Sequence, residues 1–444
     1  MSITAIIVFL TILGIMIFFH ELGHFIVARL CGVRVNVFSI GFGKKILQYK
    51  YKDTVYCISI FPLGGYVLMA GENPMEEKTG DPGEFYSHPR WQRILIALAG
   101  PVANAVLAVV ILTGLFMFHY EYYPTNDAPT IIGHLDKNGP AAQAGLMEGD
   151  KIVRIQEYDN PVWGTTFDTL IKDKLTHVTQ IPLQVVRGDK LMQFTVKGDD
   201  QGDGPIYLGI APQEDTYITS IDTDKPAYLS GMRLGDEIKS LNDTPVSNIT
   251  EVIVFLQKNG DKNVTVQVVR NNAPLTFSVK PFFDKTGNRY RMGFGNSYRV
   301  DYKHLPFKDA WQESIKENER SLGFVLLSLK SLTTGHASIK QFSGPIGMAQ
   351  QTTTVLQQKD WLYFVFMMMA MISINLGVMN LLPFPILDGG MIAITLLESL
   401  IRRDMNQQFK ERIYQVAFVM IILFTVVVMY NDILKLPVVT KFLQ

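Results

Sequence analysis

Four long apolar runs constrain this chain more than any other feature of its 444 residues. They cover residues 3–30, 94–118, 361–387 and 413–430, and each is near or above the roughly 20 apolar residues that a helix needs to cross a bilayer. Charged residues make up 18% of the chain, below the roughly 25% of a typical globular protein. The stretch at about 120–305 has an ordinary globular composition and carries most of the Asp residues. The sequence therefore predicts a membrane protein with four spans and one water-soluble region.

Charge, cysteine content and the start of the chain exclude several classes of protein. The first run can be read as a cleaved signal peptide, but no Lys or Arg precedes it and no small-residue cleavage site follows, so we expect it to remain as a span. The formal net charge is zero and no basic cluster occurs, so nucleic acid is not an expected partner. Cys31 and Cys57 both lie outside the soluble region, which does not support a disulfide framework.

The Lys and Arg residues of the short connections predict the orientation of the spans. They concentrate after the first and third runs, whereas none precedes the first run and only Lys435 and Lys441 follow the fourth. By the positive-inside rule, the two basic connections face the cytoplasm, and both termini and the soluble region face the other side. The basic residues concerned are Arg29, Arg34, Lys44, Lys45, Lys50, Lys52, Lys78, Arg90, Arg93, Arg402, Arg403, Lys410 and Arg412.

The first run contains three ionisable side chains within one turn, those of His20, Glu21 and His24. Helix positions four apart differ by about 40° of rotation and about 6 Å of rise, so both imidazoles can face one metal ion. Glu21 lies one step around and can act as a general base. The alternative is a histidine pair that hydrogen-bonds to neighbouring helices. Because each charged side chain deep in a span costs roughly 2.5–3.5 kcal/mol, such residues usually serve a function.

A catalytic zinc needs a third protein ligand, and Asp388 is the best candidate. Pro383 and Pro385 ahead of it interrupt the helix, and two glycines after it allow a close approach of the chain. The alternative is an aspartate that only caps a helix at the membrane surface. The first and third runs have one span between them and cross in the same direction, so we expect the three ligands at one depth, towards the cytoplasm. Asn380, just ahead, can hold the substrate backbone or an oxyanion.

Two glycine-punctuated, strand-like segments, 38–44 and 58–69, lie between the first two runs. They are too short to span as helices, which favours a re-entrant or interfacial hairpin. A substrate drawn out along such a strand would present its backbone for cleavage. The alternative is a cytoplasmic hairpin with no substrate role. The predicted substrate-binding residues are Asn380, Pro383, Pro385, Gly41, Gly43, Gly64 and Gly65.

The second run opens with Gly100, Pro101 and Asn104, which are two small residues and one amide inside a predicted span. Close helix packing with an interhelical hydrogen bond is one interpretation. A position beside the active site is the other.

The soluble region repeats itself. Residues 140–152 (PAAQAGLMEGDKI) align with 226–238 (PAYLSGMRLGDEI), so the offset is 86 residues. Later, LQVVR at 183–187 recurs as VQVVR at 266–270. Two homologous domains of about 85–90 residues follow from this periodicity.

The motifs HELGH at 20–24 and NLLPFPILDGG at 380–390 resemble the paired signatures of the site-2 protease family of intramembrane zinc metalloproteases. The resemblance implies one Zn²⁺ per chain on His20, His24 and Asp388, with Glu21 as the catalytic residue. It extends through the 38–69 segment, where family members carry a membrane-associated β-loop. It also implies a bacterial inner membrane location and a single-pass anti-sigma factor as substrate, already trimmed by another protease in a stress response.

The two repeats resemble PDZ domains, which bind extended chains by strand addition. The resemblance implies peptide grooves at Leu208, Gly209 and Ile210 and at Gly293, Phe294 and Gly295, or else a purely steric module that excludes substrates with bulky outer domains. The expected fold is a multi-domain membrane protein: a four-span α-helical domain with a β-loop, plus two α+β PDZ domains in tandem. The predicted domains are 1–118, 125–214, 215–300, a membrane-surface helical segment at 305–360, and 361–435.

A non-catalytic PDZ scaffold or receptor is the main alternative to a protease. It would keep its function without His20. A transporter is a weaker alternative, because it would need polar residues through the full depth of several spans, and here they cluster on one side.

Overall fold

The computed structural model describes residues 3–72, 79–200, 205–212, 216–246, 249–260, 262–284, 289–297, 300–334, 344–356 and 360–434. The predicted domain boundary at 214–215 and residue 435 lie outside these ranges. The chain forms two compact units, one made of Met1–Tyr120 with His304–Gln444 and the other of Glu121–Lys303. We call them the helical unit and the repeat unit.

The first part of the helical unit is two long helices with a β-ribbon between them. Its elements are α1 (Ile3–Cys31), β1 (Val35–Tyr51), β2 (Thr54–Met69), a short 3₁₀ turn (Phe85–Ser87) and α2 (Arg90–Phe118). Both helices match predicted spans in position. Gly23 of α1 packs against α2, where a Cβ at this residue would lie 2.3 Å from the carbonyl oxygen of Ala99. Such small-residue contacts let membrane helices approach closely.

The β-ribbon folds back on itself into four paired segments. Tyr51 pairs with Thr54 at the tip, and the segment 54–58 then lies between 47–51 and 37–40. The segment 35–40 pairs on its other side with 65–69, in the register Val35 to Met69 and Phe38 to Val67. The order is therefore 47–51, 54–58, 35–40 and 65–69, and we call 65–69 the edge segment.

The repeat unit contains two modules, each built from short helices and a small antiparallel sheet. After β3 (Tyr120–Tyr122), the first module has α3 (Pro124–Asp127), β4 (His134–Leu135), α4 (Pro140–Gln143), β5 (Lys151–Ile155), β6 (Tyr158–Asp159), α5 (Trp163–Thr176), β7 (Gln180–Arg187), β8 (Lys190–Lys197) and β9 (Ile210–Ala211). The second has β10 (Thr216–Ile221), α6 (Pro226–Leu229), β11 (Glu237–Leu241), β12 (Thr244–Pro245), α7 (Ile249–Asn259), β13 (Val264–Arg270), β14 (Ala273–Val279), β15 (Phe282–Asp284), β16 (Arg289–Arg291) and β17 (Phe294–Ser297), followed by β18 (Asp301–Lys303).

The two modules bury equivalent residues in separate cores. Strand order is β6-β5-β7-β8 in the first sheet and β14-β13-β11-β10-β17 in the second, where β12 also pairs with β11. Ile152 and Ile238 are both at most 1% exposed and are related by the 86-residue offset seen in the sequence. Gly149 and Gly235, at the same offset, both adopt positive φ (+88° and +82°) in the turn before the strand.

The last part of the helical unit is five helices. They are α8 (Phe307–Thr333), α9 (Pro345–Leu356), α10 (Trp361–Asn380), α11 (Asp388–Ile401) and α12 (Gln407–Leu434). With α10 and α12, the described residues contain four helices that are long and apolar enough to cross a membrane. The third span ends at Asn380, earlier than the apolar run to 387, because Pro383 and Pro385 cannot continue a helix. α11 was not predicted.

Candidate metal centre

His20 and His24 lie one turn apart on α1 and are both buried, at 5% and 8% exposure. Their Nε2 atoms are 3.2 Å apart. The i, i+4 spacing of the motif produces this juxtaposition directly, since one helical turn brings the two side chains to the same face.

Asp388 reaches the histidines because the chain turns sharply after α10. Leu387 is extended (φ −92°, ψ 163°) and α11 begins at Asp388. Gly389 and Gly390 permit the turn, since a Cβ at either would lie 2.1 Å from a backbone carbonyl oxygen, that of Leu381 or Phe384. Asp388 Oδ2 is 3.1 Å from His20 Nε2, and Oδ1 is 3.4 Å from His24 Nε2.

These three side chains have the spacing of metal ligands. Four ligands at about 2.0–2.1 Å from zinc in a tetrahedron are about 3.3 Å from one another, and the three separations here are 3.1, 3.2 and 3.4 Å. Asp388 Oδ2 is buried and has no hydrogen-bond partner among the described residues. Two imidazoles and one carboxylate are also the donor set of several catalytic zinc sites. The residues present fit a zinc ion.

The surroundings of the histidines orient their lone pairs towards the same point. His24 Nδ1 lies 2.7 Å from the carbonyl oxygen of Ile96, which can only accept, so Nδ1 carries the proton and Nε2 is free to bind a metal. The side-chain amide of Asn104 lies 3.3 Å from His20 Nδ1, and Asn104 Oδ1 is buried without a hydrogen-bond partner among the described residues. The oxygen and nitrogen of a side-chain amide are nearly equal in size, so the hydrogen-bond network decides which of them faces His20. With the oxygen turned to His20, Asn104 accepts the Nδ1 proton and His20 Nε2 also becomes a metal ligand.

Glu21 and Glu72 both lie at the entrance to this centre. Glu21 Oε2 accepts a hydrogen bond of 3.1 Å from the backbone N–H of Val67, and Glu72 Oε2 accepts one of 3.1 Å from that of Met69. A cavity of about 290 Å³ opens between them and the three candidate ligands. Its lining consists of His20, Glu21, His24, Tyr66, Val67, Met69, Glu72, Ile96, Ala97, Asn380, Ile386, Leu387, Asp388 and Met391.

The second span supplies the space for this arrangement. A Cβ on Gly100 would lie 2.3 Å from His24 Nε2, so only glycine leaves room for the two imidazoles and an ion. Pro101 has no N–H, so the carbonyl of Ala97, on the cavity wall, lacks its usual helical donor. Gly100, Pro101 and Asn104 therefore lie beside the centre as well as in a helix-packing position.

The predicted substrate-binding residues are distributed unevenly. Asn380 lines the cavity, with its amide nitrogen 3.1 Å from His20 Nε2. Gly65 belongs to the edge segment, where a Cβ would lie 3.4 Å from Glu21 Cγ. The remaining five lie farther away: Pro383 and Pro385 in the turn before α11, and Gly41, Gly43 and Gly64 at positive φ in the bend of the ribbon.

The predicted peptide grooves of the repeats lie at strands β9 and β17. Ile210 pairs with Leu135, Leu208 is buried at 2% exposure, and Gly209 is at positive φ beside Gly139. In the second module, Phe294 pairs with Ile221, and β17 is last in the strand order. Gly295 pairs with Ser220, and Gly293 adopts a φ of +87° ahead of the strand.

The sequence pattern of peptidase family M50 matches residues 8–424 of this chain. The chain belongs to peptidase family M50. This family match covers both halves of the candidate metal centre, from His20 to Asp388. The regulator of sigma-E protease RseP of Escherichia coli (strain K12) is 28% identical to it over 450 residues, covering 96% of this chain and 98% of that protein.

Two further likenesses accompany the M50 match. A Vibrio cholerae protein whose name includes the words "zinc metalloprotease" is 28% identical, over 97% of this chain and 98% of its own length. A PDZ domain of an SdrC-like protein from Listeria innocua aligns with 21% of this chain and 100% of that domain, at 21% identity and a TM-score of 0.18. As an M50 member with four helices of membrane-spanning length, the chain is a metalloendopeptidase and a multi-pass membrane protein.

Glu72 is the cavity residue that sequence reasoning missed. It belongs to no metal-binding pattern. The hydrogen bond that it accepts from the N–H of Met69, three residues earlier, is evident only in the folded chain. Its one sequence signal is its place three residues after the predicted strand 58–69, to which we assign substrate handling.

Proposed function

We propose that this chain is an intramembrane zinc endopeptidase that cleaves single-pass membrane proteins. One observation carries the proposal: ligand atoms of His20, His24 and Asp388 lie 3.1–3.4 Å from one another. The Oδ2 atom of Asp388 is buried among them and has no hydrogen-bond partner among the described residues. These three residues hold one Zn²⁺ per chain. When bound, the ion polarises the scissile carbonyl and lowers the pKa of the attacking water.

The other residues of the centre position the proton and the substrate. Glu21 takes the proton of the attacking water and returns it to the leaving amine, as a general base and then a general acid. The amide of Asn380, at the edge of the centre, holds the substrate backbone or the developing oxyanion. The edge segment accepts the substrate as an added strand, which exposes a peptide bond that a helix would shield.

The depth and orientation of the centre follow from the charges of the connections. The basic connections face the cytoplasm, so both termini and the two modules lie on the periplasmic side of a bacterial inner membrane. The metal centre then lies towards the cytoplasmic side, and the β-ribbon enters the membrane as a loop shielded by protein.

The two modules act as PDZ domains that select the substrate by size. Their equivalent cores and the 86-residue offset support two domains in tandem. They admit a substrate whose outer domain has already been removed, and the likeness to a regulator of sigma-E protease supports an anti-sigma factor as that substrate. β17, last in its sheet, is where the second module would receive an extended peptide.

Substitution of Glu21 tests the chemistry. In purified full-length protein, Glu21→Gln is expected to retain zinc while cleavage of a single-span model substrate falls by at least about a thousandfold, because the amide cannot take the proton. Zinc content is measured on the same sample. Asp81→Asn, at an exposed ion pair with Arg34, serves as the control and is expected to cleave normally. Substantial cleavage by Glu21→Gln would falsify the proposed mechanism.

A further inference from the structure

The edge segment carries two backbone N–H groups that point towards the metal centre, and both already donate hydrogen bonds within the protein. Val67 N–H donates to Glu21 Oε2 and Met69 N–H donates to Glu72 Oε2, each at 3.1 Å. The opposite edge of the same segment pairs with 35–40. Glu21 and Glu72 therefore occupy, side by side, the edge of the ribbon that remains after its own pairing.

These two N–H groups have the spacing that an added strand requires. Residues two apart on a strand point their N–H groups to the same side and lie about 6.5–7 Å apart. An incoming extended chain pairs with such donors through alternate carbonyl oxygens. The two glutamates thus occupy the hydrogen-bond donors that a substrate backbone would use at the centre.

We propose that Glu72, together with Glu21, closes the edge segment in the resting enzyme, and that a substrate strand opens it by displacing both carboxylates. This inference rests on the proposed function. Displacement at Val67 frees Glu21, the general base, to face the attacking water. Glu72 competes with the substrate backbone for the N–H of Met69 and takes no part in the chemistry. It is therefore a positioning residue.

Coupling of the two displacements gives the enzyme a basis for selectivity. A carboxylate is a stronger acceptor than a peptide carbonyl, so a single carbonyl does not readily replace either glutamate. A chain that is extended across both positions makes two hydrogen bonds at once and buries its side chains against the cavity wall. A helix, whose carbonyls are already bonded within itself, cannot make this exchange. The edge therefore favours an unwound segment.

Glu72→Ala, Glu72→Gln and the matched control Glu148→Ala test the inference in full-length protein in detergent micelles. Glu148 also accepts a backbone N–H, that of Leu135 at 3.2 Å, but lies in the repeat unit. The readouts are kcat and KM for a single-span model substrate, zinc content, and hydrogen exchange of the Met69 amide without substrate.

Removal of the competing carboxylate is expected to lower KM about fivefold with little change in kcat, because one hydrogen bond no longer has to be displaced. Exchange of the Met69 amide is expected to rise about tenfold in the absence of substrate, since its acceptor is gone. Glu72→Gln should give intermediate values, and Glu148→Ala should match the wild type in all of them.

Several results would overturn the inference. They are an unchanged or higher KM in Glu72→Ala, unchanged Met69 exchange, or loss of cleavage with zinc retained. If Glu72→Ala does not fold, Met69 exchange in Glu72→Gln decides in the same way. None of these results touches the proposed function, which fails only if the wild type does not cleave or if Glu21→Gln does.

Discussion

Two aspartates, one in each unit, have contrasting surroundings. In the repeat unit, Asp150 is fully buried and its oxygens accept from Arg187 Nε (2.7 Å), Arg187 Nη2 (2.8 Å) and the backbone of Met147 (2.9 Å). Asp236 repeats this arrangement with Arg270 in the second module. In the helical unit, Asp388 faces two imidazoles, and its Oδ2 has no hydrogen-bond partner among the described residues.

The difference separates a carboxylate that stabilises the fold from one that we propose binds a cation. Burial of a charge is costly, and the Asp–Arg pairs offset that cost with directed, charge-assisted hydrogen bonds. Asp388, whose side chain is 18% exposed, lacks such a set of donors among the described residues: its two oxygens lie 3.1 Å and 3.4 Å from imidazole nitrogens of His20 and His24. A buried acceptor without a donor, next to two imidazoles, is where a bound cation or a catalytic role is expected.

The largest expected effect contrasts the two aspartates directly. Asp388→Asn is expected to lower cleavage at least about a thousandfold and to lose zinc, because an amide is a poor zinc ligand, while hydrogen exchange of the first module changes little. Asp150→Asn is expected to have the opposite profile, destabilising the first module because Arg187 loses its charged partner, with zinc retained. Zinc content and hydrogen exchange of the module are measured on both variants. Equal effects on both readouts would remove the distinction.

A smaller effect is expected at Asn104, which we assign to the orientation of His20. Asn104→Ala should weaken zinc binding about tenfold, because the Nδ1 proton loses its acceptor, and Asn104→Asp should restore it. Chelator competition measures the affinity. Ser373→Ala is the control, since Ser373 Oγ donates to the backbone carbonyl oxygen of Asn104 rather than to its side-chain amide. Identical zinc affinity in Asn104→Ala and the wild type would assign Asn104 to helix packing alone.

The smallest expected effect is a pH dependence of the first module. Burial alone would raise the pKa of Asp150, but hydrogen bonds from Arg187 and Met147 outweigh burial and hold the pKa below its ordinary value of 3.8. Because the folded state binds the proton less readily than the unfolded state, this stabilisation is present above about pH 4 and is lost as pH falls through the folded-state pKa. Hydrogen exchange of β5 and β7, corrected for intrinsic rates, should show the loss in the wild type. A parallel pH dependence in Asp150→Asn would contradict the assignment.

The sequence was most informative where geometry is local. His20 and His24 lie side by side because they are one helical turn apart. Gly149 and Gly235 occupy equivalent turns because both repeats need a residue with positive φ at this position. The pairing of these histidines with Asp388 was predicted from the number of spans between them. That number indicates the same side of the membrane but gives no distance. Proximity of these residues in the structure depends on the turn after α10 and on close packing at Gly100.

Features that depend on long-range packing were not predictable. The β-ribbon folds back so that 65–69 becomes an edge, and no periodicity in 38–69 indicates that order. Glu72 becomes a cavity residue only through that order. The exact partner of Asn104 likewise depends on how α1 packs against α2, so the sequence left packing and active-site roles open for it.

X-ray absorption at the zinc edge, made on zinc-loaded wild-type protein and on Asp388→Asn, gives the most direct test of the central claim. We expect the wild type to show a first shell of nitrogen and oxygen scatterers at about 2.0–2.2 Å with the outer-shell scattering of two imidazoles, and the variant to hold little zinc and to have a smaller first shell around what remains. An identical spectrum from both proteins, with zinc fully bound, would mean that the ion is held elsewhere and would contradict the account.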